Sequence, residues 1–342
     1  MKILITGTAG FIGYHLTKRL SKENYDIVCV DSISNYYDVE LKHGRLNSLG
    51  FNCNVLEAEA DKYLISSVFP NICFKKIDLS DTECVTKLFS EHDFDIILHL
   101  AAQAGVRHSL SNPHAYISSN IWGFLNILEA VKARPPKHFV YASSSSIYGL
   151  NSKIPFSEND PANRPASLYA STKLAGEQMA YTYSHLYKIP LTGLRFFTVY
   201  GPWGRPDMAP FIFTKSIIEE KPIIVFNNGN MQRDFTYIDD IIEGIIRVIS
   251  KIPDGTDEDK TPAAIYNIGN SKPVALMDFI HIIEDTLNKK AIIQYAPMQA
   301  GDVNSTWADC SALARDTGFS PNTPLSTGIQ KFVDWYKEFY RS

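Results

Sequence analysis

A strand, a glycine-rich loop, a helix and a second strand are predicted in that order at the start of the chain. Residues 2–6 (KILIT) have the apolar and β-branched side chains of a buried strand. Residues 7–13 (GTAGFIG) place three glycines at intervals of three, and residues 14–20 have the pattern of a helix. A second strand is predicted at residues 26–30, directly before Asp31. This order strongly constrains the fold, because it is typical of units that bind a dinucleotide.

The same unit predicts which cofactor binds. Residues without Cβ let the backbone approach a pyrophosphate closely, and the start of the helix offers unpaired N–H groups to it. A carboxylate at the end of the second strand can accept both ribose hydroxyls of the adenosine half and repels a 2′-phosphate, so NAD is favoured over NADP. The cofactor residues predicted in this unit are Gly7, Gly10, Phe11, Ile12, Gly13 and Asp31.

Strands and helices continue to alternate along the chain. Further strands are predicted at residues 72–77, 96–100, 138–142 and 191–197, and helices at residues 81–89, 121–131, 168–187 and 325–340. Alternation predicts an α/β fold with a Rossmann-type doubly wound parallel sheet. Prolines interrupt the rhythm after about residue 198, and residues 253–262 are predicted to be an exposed loop. We expect an NAD-binding domain over residues 1–190 and a smaller, mainly substrate-binding domain over residues 191–342, partly interleaved with the sheet.

Composition limits the classes to which the protein can belong. The chain has 342 residues, 45% of them hydrophobic and 20% charged, which suits one large or two unequal globular domains. A net charge of −4 gives no indication of nucleic-acid binding. The five cysteines and nine histidines lack paired ligand spacing, so no metal site is expected. Neither a leader segment nor an apolar run of about 18 residues is recognised, so we expect a cytoplasmic protein without a membrane anchor.

Hydroxyl groups cluster where one predicted strand ends. Residues 143–146 are four serines that follow the strand at 138–142, and ligands bind beyond the carboxyl ends of strands in such sheets. Tyr169 and Lys173 follow, four residues apart on one predicted helix face. A free phenol ionises near 10, but an adjacent ammonium and a cationic nicotinamide both favour the phenolate. Tyr169 can then accept a proton from an alcohol while hydride leaves its carbon.

Tyr14 and Lys18 have the same spacing within the first predicted helix. No strand that ends in hydroxyl-bearing residues precedes them. We therefore interpret Tyr14 as a packing residue and Lys18 as a surface residue, and assign the chemistry to the later pair.

These motifs together resemble the extended short-chain dehydrogenase/reductase superfamily, and more specifically its UDP-glucuronate 4-epimerase family. The superfamily is indicated by the glycine loop, the segment LAAQ at residues 100–103, the serine-rich strand end and the Tyr169/Lys173 pair. The epimerase family is indicated by NYYDV at residues 35–39, AQAGVR at 102–107, RFFTVYGPWGRPDM at 195–208 and MQRDFTY at 231–237. The resemblance extends over nearly the whole chain.

The resemblance implies a redox-neutral epimerisation at C4 of a UDP-uronate. Tyr169 would deprotonate the 4-hydroxyl and NAD⁺ would take hydride, and the 4-keto sugar would then turn and receive hydride on its other face. Ser144 takes the position of the catalytic hydroxyl, and Asp78, Leu79, Leu100, Ala101, Ala102 and Gln103 match cofactor-binding positions. UDP-binding positions are matched by Asn120, Thr198, Phe226, Gln232, Arg233 and Asp302. The family also implies a homodimer built from the helices around residues 120–131 and 168–187.

Ser145 and Ser146 help to distinguish related activities. In the relatives, 4,6-dehydratases carry Asp-Glu at these two positions and decarboxylases usually carry a Glu, whereas hydroxyls suit an anionic C6 carboxylate. Arg107 and Arg205 are cationic candidates for the same group. Thr198 and Gln299 differ from residues usual in UDP-galactose 4-epimerases, which argues against a neutral hexose. The alternatives are a 4-epimerase of UDP-N-acetyl-hexosaminuronate or of UDP-glucose/galactose, a UDP-glucuronate decarboxylase, or a non-catalytic NAD-binding regulator.

Overall fold

The computed structural model describes residues 1–58, 62–255, 260–299 and 301–341. Within them the strands are β1 (Lys2–Thr6), β2 (Asp26–Asp31), β3 (Leu64–Ile65), β4 (Ile72–Lys76), β5 (Ile96–His99), β6 (His138–Ser144), β7 (Leu191–Phe196), β8 (Thr198–Tyr200), β9 (Pro222–Phe226), β10 (Gln232–Tyr237), β11 (Ala263–Ile268), β12 (Pro273–Ala275) and β13 (Ile292–Ala296).

The α-helices within the same residues are α1 (Phe11–Leu20), α2 (Val39–Ser48), α3 (Cys53–Ala58), α4 (Thr82–Glu91), α5 (His108–Ser111), α6 (Pro113–Ile117), α7 (Gly123–Ala133), α8 (Leu168–Tyr187), α9 (Ala209–Ile218), α10 (Ile238–Ile249), α11 (Leu276–Leu287), α12 (Ser311–Thr317) and α13 (Leu325–Tyr340). A π-helix forms at Ser118–Trp122, and 3₁₀ helices form at Ser145–Tyr148 and Asn227–Gly229.

Eight strands form one large sheet in the order β11-β7-β6-β5-β1-β2-β4-β3. Strand β1 pairs in parallel with β2 on one side and β5 on the other, and β5 pairs in parallel with β6. The short strand β3 runs antiparallel to β4. The first strand therefore lies inside the sheet, with helical crossovers leading to its neighbours. This topology confirms the predicted Rossmann-type α/β fold.

Burial on both faces explains why the strands could be recognised. The four residues of β5 are all buried, as are Ile3 to Thr6 of β1. Parallel strands covered on both faces need nearly continuous apolar runs, and such runs are visible in a single sequence. One hydrophobic cluster combines strand residues with helix residues and includes Leu4, Val30, Ile97, Phe124, Ile127, Phe139 and Ala180.

Helices predicted from the sequence are also observed in the structure. Those at residues 168–187 and 325–340 are observed with the same bounds, as α8 and α13. The helix predicted at residues 81–89 is α4, and the Asp81 carboxylate caps it by accepting hydrogen bonds from the N–H groups of Glu83 and Cys84, both at 3.0 Å. The helix predicted at residues 121–131 begins inside the π-helix and continues as α7.

The chain divides into two compact units, each built from three segments. The Rossmann unit comprises Met1–Ser144, Leu168–Arg195 and Ile245–Tyr266, and the second unit comprises Ser145–Ser167, Phe196–Gly244 and Asn267–Ser342. The assignment of residues 1–190 to NAD and of 191–342 mainly to the substrate stays a prediction. Residues 256–259 of the predicted loop at 253–262 lie outside the described residues.

The second unit contains two small sheets. In one, β10 pairs in parallel with β8 and antiparallel to β12, and in the other β9 pairs in parallel with β13. The buried Asp234 carboxylate of β10 accepts three backbone N–H bonds of 2.8–3.0 Å, from Asn270, Ser271 and Ala308. These bonds attach two later segments of the chain to one strand.

None of the helices formed by the described residues has both the length and the apolar character needed to cross a bilayer.

Candidate active site

The glycine loop after β1 has no room for side chains at Gly7, Gly10 or Gly13. Gly7 has a φ of +80°, and a Cβ on it would lie 2.7 Å from the backbone nitrogen of Ala101. A Cβ on Gly13 would lie 2.0 Å from the carbonyl oxygen of Gly7. Helix α1 begins at Phe11 and Ile12 without a side-chain cap, and its first turn carries no acidic residue. The loop therefore leaves helix N–H groups available to an anion.

The carboxylate of Asp31 is fixed beside this loop at the end of β2. Its Oδ2 accepts a hydrogen bond from the N–H of Ala9 at 3.0 Å, and its Oδ1 accepts one from Ile33 at 2.8 Å. Arg45 of α2 is fully buried and donates from Nη1 to the carbonyl of Ala9 at 2.8 Å and to the Tyr37 hydroxyl at 2.7 Å. Arg45 was not predicted from the sequence, although it supports the predicted cofactor loop directly.

A buried hydroxyl and imidazole hold the segment that follows β5. Thr6 Oγ1 accepts a hydrogen bond from the N–H of Ala101 at 3.1 Å and lies 2.9 Å from His99 Nδ1. Burial lowers the pKa of His99 to about 3, so this imidazole is neutral at physiological pH. Leu100, Ala101, Ala102 and Gln103 thus leave the sheet along a fixed path beside the glycine loop. Neither Thr6 nor His99 was predicted to contribute.

Asn120 lies in the π-helix and is buried. Its amide donates to the Gln103 carbonyl and to Thr172 Oγ1, both at 3.0 Å, and its Oδ1 accepts the N–H of Gln103 at 2.8 Å. Thr172 donates in turn to the carbonyl of Tyr169 at 2.9 Å. The structure thus connects Asn120 to the cofactor segment and to α8. Its predicted contact with UDP stays a prediction.

Asp78 and Leu79 follow β4 in the Rossmann unit. The exposed Asp78 carboxylate accepts hydrogen bonds from the Ser80 N–H and hydroxyl at 2.9 and 2.8 Å. The carbonyl of Leu79 accepts a bond from Asn126 Nδ2 at 2.9 Å. Both residues are therefore held by local contacts, and their predicted contact with adenine stays a prediction.

The three predicted catalytic residues lie on two neighbouring elements of the Rossmann unit. Ser144 is the last residue of β6, and Tyr169 and Lys173 lie in the first turns of α8. Lys173 Nζ donates to the carbonyl of Ala142 at 2.9 Å, which ties the helix to the strand end two residues before Ser144. The ring of Tyr169 packs edge-on against that of Tyr116, with centroids 6.1 Å apart.

Two opposing electrostatic effects act on the ammonium of Lys173. Burial lowers the pKa of its ammonium to about 8, and the negative charge of Glu177 opposes that shift. Glu177 is itself buried and pairs with Arg195 of β7. These two residues were not assigned a role from the sequence, because a glutamate and an arginine are ordinarily surface residues.

The other predicted substrate residues are distributed over both units. Arg107, in the Rossmann unit, is exposed at the start of α5. The rest belong to the second unit: Ser145 and Ser146 are partly buried in a 3₁₀ helix, and Thr198, Phe226, Gln232, Arg233 and Asp302 lie on or near β8, β9, β10 and the segment before α12.

Two of the predicted arginines in the second unit have defined contacts. Arg205 pairs with Asp207 through two bonds, Nε to Oδ1 at 3.0 Å and Nη2 to Oδ2 at 2.5 Å. Arg233 donates from Nη1 to the carbonyl oxygens of Gln232 and Asn304, at 2.8 and 3.1 Å. Contact of either guanidinium with substrate stays a prediction, and for Arg205 it would require sharing with Asp207.

The sequence profile of the NAD dependent epimerase/dehydratase family matches residues 3–269. The chain belongs to this family. This epimerase/dehydratase family member is 49% identical to Protein CapI of Staphylococcus aureus, with full coverage of both chains. It is 43% identical to a probable UDP-glucuronate 4-epimerase of Rhizobium meliloti, over 100% of this chain and 98% of the relative.

A solved structure is similar over the whole length of this family member. The UDP-glucuronic acid 4-epimerase of Bacillus cereus, in complex with UDP-glucuronic acid and NAD, superposes with a TM-score of 0.86 at 34% sequence identity. The match covers 99% of this chain and 100% of that structure. The predicted superfamily and fold class are therefore confirmed.

NAD is the cofactor of the epimerase/dehydratase family, as predicted. The Rossmann unit fits it: Gly7 and Gly13 let the loop pack closely against neighbouring backbone, helix α1 offers N–H groups to a diphosphate, and the fixed Asp31 carboxylate suits a ribose diol. Among the described residues, no group of three or more His, Cys, Asp or Glu side chains could hold a metal. The residue-by-residue contacts with NAD stay predictions.

Proposed function

We propose that the protein is a UDP-sugar 4-epimerase that interconverts UDP-glucuronate and UDP-galacturonate. The observation that carries the proposal is the arrangement of Tyr169 and Lys173 on α8, with Lys173 bound to the strand end that leads into Ser144. The next two residues in the chain are Ser145 and Ser146, without the acids that elimination or decarboxylation would use. Relatives whose names carry an activity include UDP-glucuronate 4-epimerases, which supports the uronate.

Each catalytic side chain has a distinct task. Tyr169 accepts the proton of the sugar 4-hydroxyl and returns one to the 4-oxygen at the end of the cycle. Lys173, charged below a pH of about 8, favours the phenolate of Tyr169 by placing an ammonium beside it. Ser144 donates a hydrogen bond that holds the same sugar oxygen. Bound NAD would supply the acceptor and donor of the C4 hydride.

The proposed substrate residues bind different parts of the UDP-sugar, and their charges suit the groups that they bind. Ser145 and Ser146 bind the C6 carboxylate, with Arg107 and Arg205 as its cationic partners; charge-assisted bonds of this kind contribute about 1.5–3 kcal/mol each. Arg233 binds the diphosphate, for which a planar guanidinium is well suited. Asn120, Thr198, Phe226, Gln232 and Asp302 complete the nucleotide site.

We also propose a homodimer formed through α7, α8 and the preceding π-helix. Large apolar or aromatic side chains on these elements are exposed in the single chain: Trp122, Tyr181, Leu186 and Tyr187. A cluster of this kind on neighbouring helices is typical of a protein–protein interface.

The proposed activity is tested with purified protein and UDP-glucuronate, without added NAD. We expect formation of UDP-galacturonate, followed by chromatography or NMR, because bound NAD is regenerated in each cycle. Tyr169→Phe should lower turnover by at least about 100-fold, since general base catalysis contributes roughly that much or more. Release of CO₂, or turnover of UDP-galactose but not of the uronate, would reject the assignment.

Tyr14→Phe is a matched control, because Tyr14 and Lys18 repeat the Tyr-x-x-x-Lys spacing on α1. In the structure the Tyr14 hydroxyl lies 3.0 Å from Ser48 Oγ and accepts a bond from Lys18 at 3.2 Å, within the helical layer. This variant should retain epimerase activity and lose about 1 kcal/mol of stability. Equal losses of activity in Tyr14→Phe and Tyr169→Phe would contradict the assignment of Tyr169 as the proton-transfer group.

A further inference from the structure

Glu177 is a buried carboxylate one turn beyond Lys173 on α8. Its side chain is 2% exposed. Its Oε1 accepts bonds from the Ser143 hydroxyl and from Arg195 Nε at 3.0 Å, and its Oε2 accepts one from Arg195 Nη2 at 2.8 Å. This bidentate pairing with Arg195 fixes both the position and the orientation of the Glu177 carboxylate.

Two successive turns of α8 are thereby attached to two successive residues of β6. Lys173 bonds to the carbonyl of Ala142, and Glu177 bonds to the hydroxyl of Ser143. The next residue of the strand is Ser144. Arg195, on the neighbouring strand β7, holds Glu177 from the other side. The strand end, the helix and the next strand are therefore joined at one carboxylate.

Among the residues that the structure describes, Glu177 supplies the negative charge that acts on Lys173. From β5, His99 is neutral because burial lowers its pKa to about 3. From β6, Tyr141 is neutral because burial raises its pKa well above the ordinary value. Arg195 of β7 lies behind Glu177, and Tyr169 lies one turn earlier on α8. Burial disfavours the Lys173 ammonium, and the charge of Glu177 opposes this effect.

We propose that Glu177 is a positioning residue of the reaction, whose anchored carboxylate keeps Lys173 charged and in place beside Tyr169. This inference rests on the proposed function only in taking Tyr169 as the proton-transfer group. Glu177 itself touches neither the phenol nor the strand-end hydroxyl of Ser144 in this role. It acts through the ammonium.

The direction in which the pKa of Tyr169 moves distinguishes an action of Glu177 through Lys173 from a direct electrostatic effect of Glu177 on the phenol. Without Glu177, Lys173 loses its proton at lower pH, and the Tyr169 phenolate must then form without a cation beside it. The ionisation of Tyr169 should move to higher pH, by about one to two pH units, the usual size of the effect of one adjacent opposite charge. Direct removal of a nearby anion acts in the opposite direction and would lower the pKa of the phenol.

The decisive variant is the double substitution Glu177→Gln with Arg195→Met. Removing both members of the Glu177–Arg195 pair leaves neither of them without its partner, so this chain should fold even if Glu177→Gln alone does not. The phenolate absorbance of the NAD-loaded protein is titrated in the near ultraviolet, and the same titration of a matched Tyr169→Phe protein is subtracted. We expect the midpoint to rise by about one to two pH units relative to the parent. Glu177→Asp, which keeps the charge, should restore a midpoint close to that of the parent.

An unchanged or lowered midpoint in the double variant would overturn the proposal, because an ion pair that only fills the core can be replaced without affecting Tyr169. Failure of the double variant to fold would overturn it as well, since the pair would then be required for the core itself. The titration needs no sugar, so it remains readable if UDP-glucuronate is not turned over. A shifted midpoint without epimerisation would reject the proposed substrate and retain the role of Glu177.

Discussion

At the scale of single residues, the conformation of the cofactor loop depends on glycines, which have no Cβ. The space where a side chain of Gly13 would lie is occupied by the Gly7 carbonyl, 2.0 Å from the position of a Cβ. The contacting atom belongs to backbone, so it cannot rotate away as the end of a long side chain would. The close packing of helix α1 on the loop therefore depends on glycine at this position.

We predict that Gly13→Ala lowers both stability and NAD content. The added methyl group would displace the loop, costing about 2 kcal/mol or more and disturbing the N–H groups that receive the diphosphate. NAD released on denaturation and the urea midpoint measure the two effects. Gly176→Ala is the matched control, since its Cβ would make only an ordinary contact, 3.6 Å from the Phe124 ring. A Gly13→Ala protein with full NAD content would contradict the assigned loop.

Single residues also show how far the sequence could be interpreted. Gly7, Tyr169 and Lys173 could be predicted as site residues because the proposed chemistry requires their types and spacing. Arg45 and Glu177 were not, because a polar residue in a helix is usually exposed and only the tertiary structure shows that both are buried. The same reason applies to His99, whose neutral state results from its burial.

At the scale of elements, apolar runs were the reliable signal and local distortions were not. The strand predicted at residues 138–142 continues to Ser144, so the first two serines of the cluster belong to β6 rather than to the following loop. The helix predicted at residues 121–131 begins inside a π-helix, which holds Asn120 where its amide can bond to both Gln103 and Thr172. Hydrophobic periodicity does not distinguish a π-turn from an α-turn.

Strand β10 yields a prediction at this scale. Asp234→Asn should lower the free energy of unfolding by about 2–3 kcal/mol, because an amide cannot accept all three backbone N–H bonds that the carboxylate accepts from Asn270, Ser271 and Ala308. Chemical denaturation measures the change. Asp334→Asn on the exposed face of α13 is the control and should have an effect within about 0.5 kcal/mol. Equal effects of the two substitutions would remove the special role of the Asp234 bonds.

At the scale of the whole molecule, the proposed dimer gives a further prediction. Light scattering should report a mass of twice the 38.4 kDa of one chain. Introducing charge with Tyr181→Glu and Leu186→Glu, whose side chains are 43% and 61% exposed, should shift the protein towards the monomer. Ile224→Glu, at an exposed position on β9, should leave the mass unchanged. A monomeric parent protein would reject the interface.

The division of the chain into units was the least predictable feature at this scale. The fold class follows from alternating strands and helices, which are local patterns. Residues 145–167 belong to the second unit and residues 245–266 to the Rossmann unit. This assignment depends on contacts between distant parts of the chain. A single sequence does not contain those contacts.

This interleaving affects how the protein is made. Strand β11, at one edge of the large sheet, begins only at residue 263, so that sheet remains incomplete while more than two thirds of the polypeptide leaves the ribosome. After β7 is complete at residue 196, its edge would stay uncovered until β11 emerges, with its main-chain groups unpaired on that side. Synthesis of this protein therefore includes a long interval in which protection by a chaperone would have the most value.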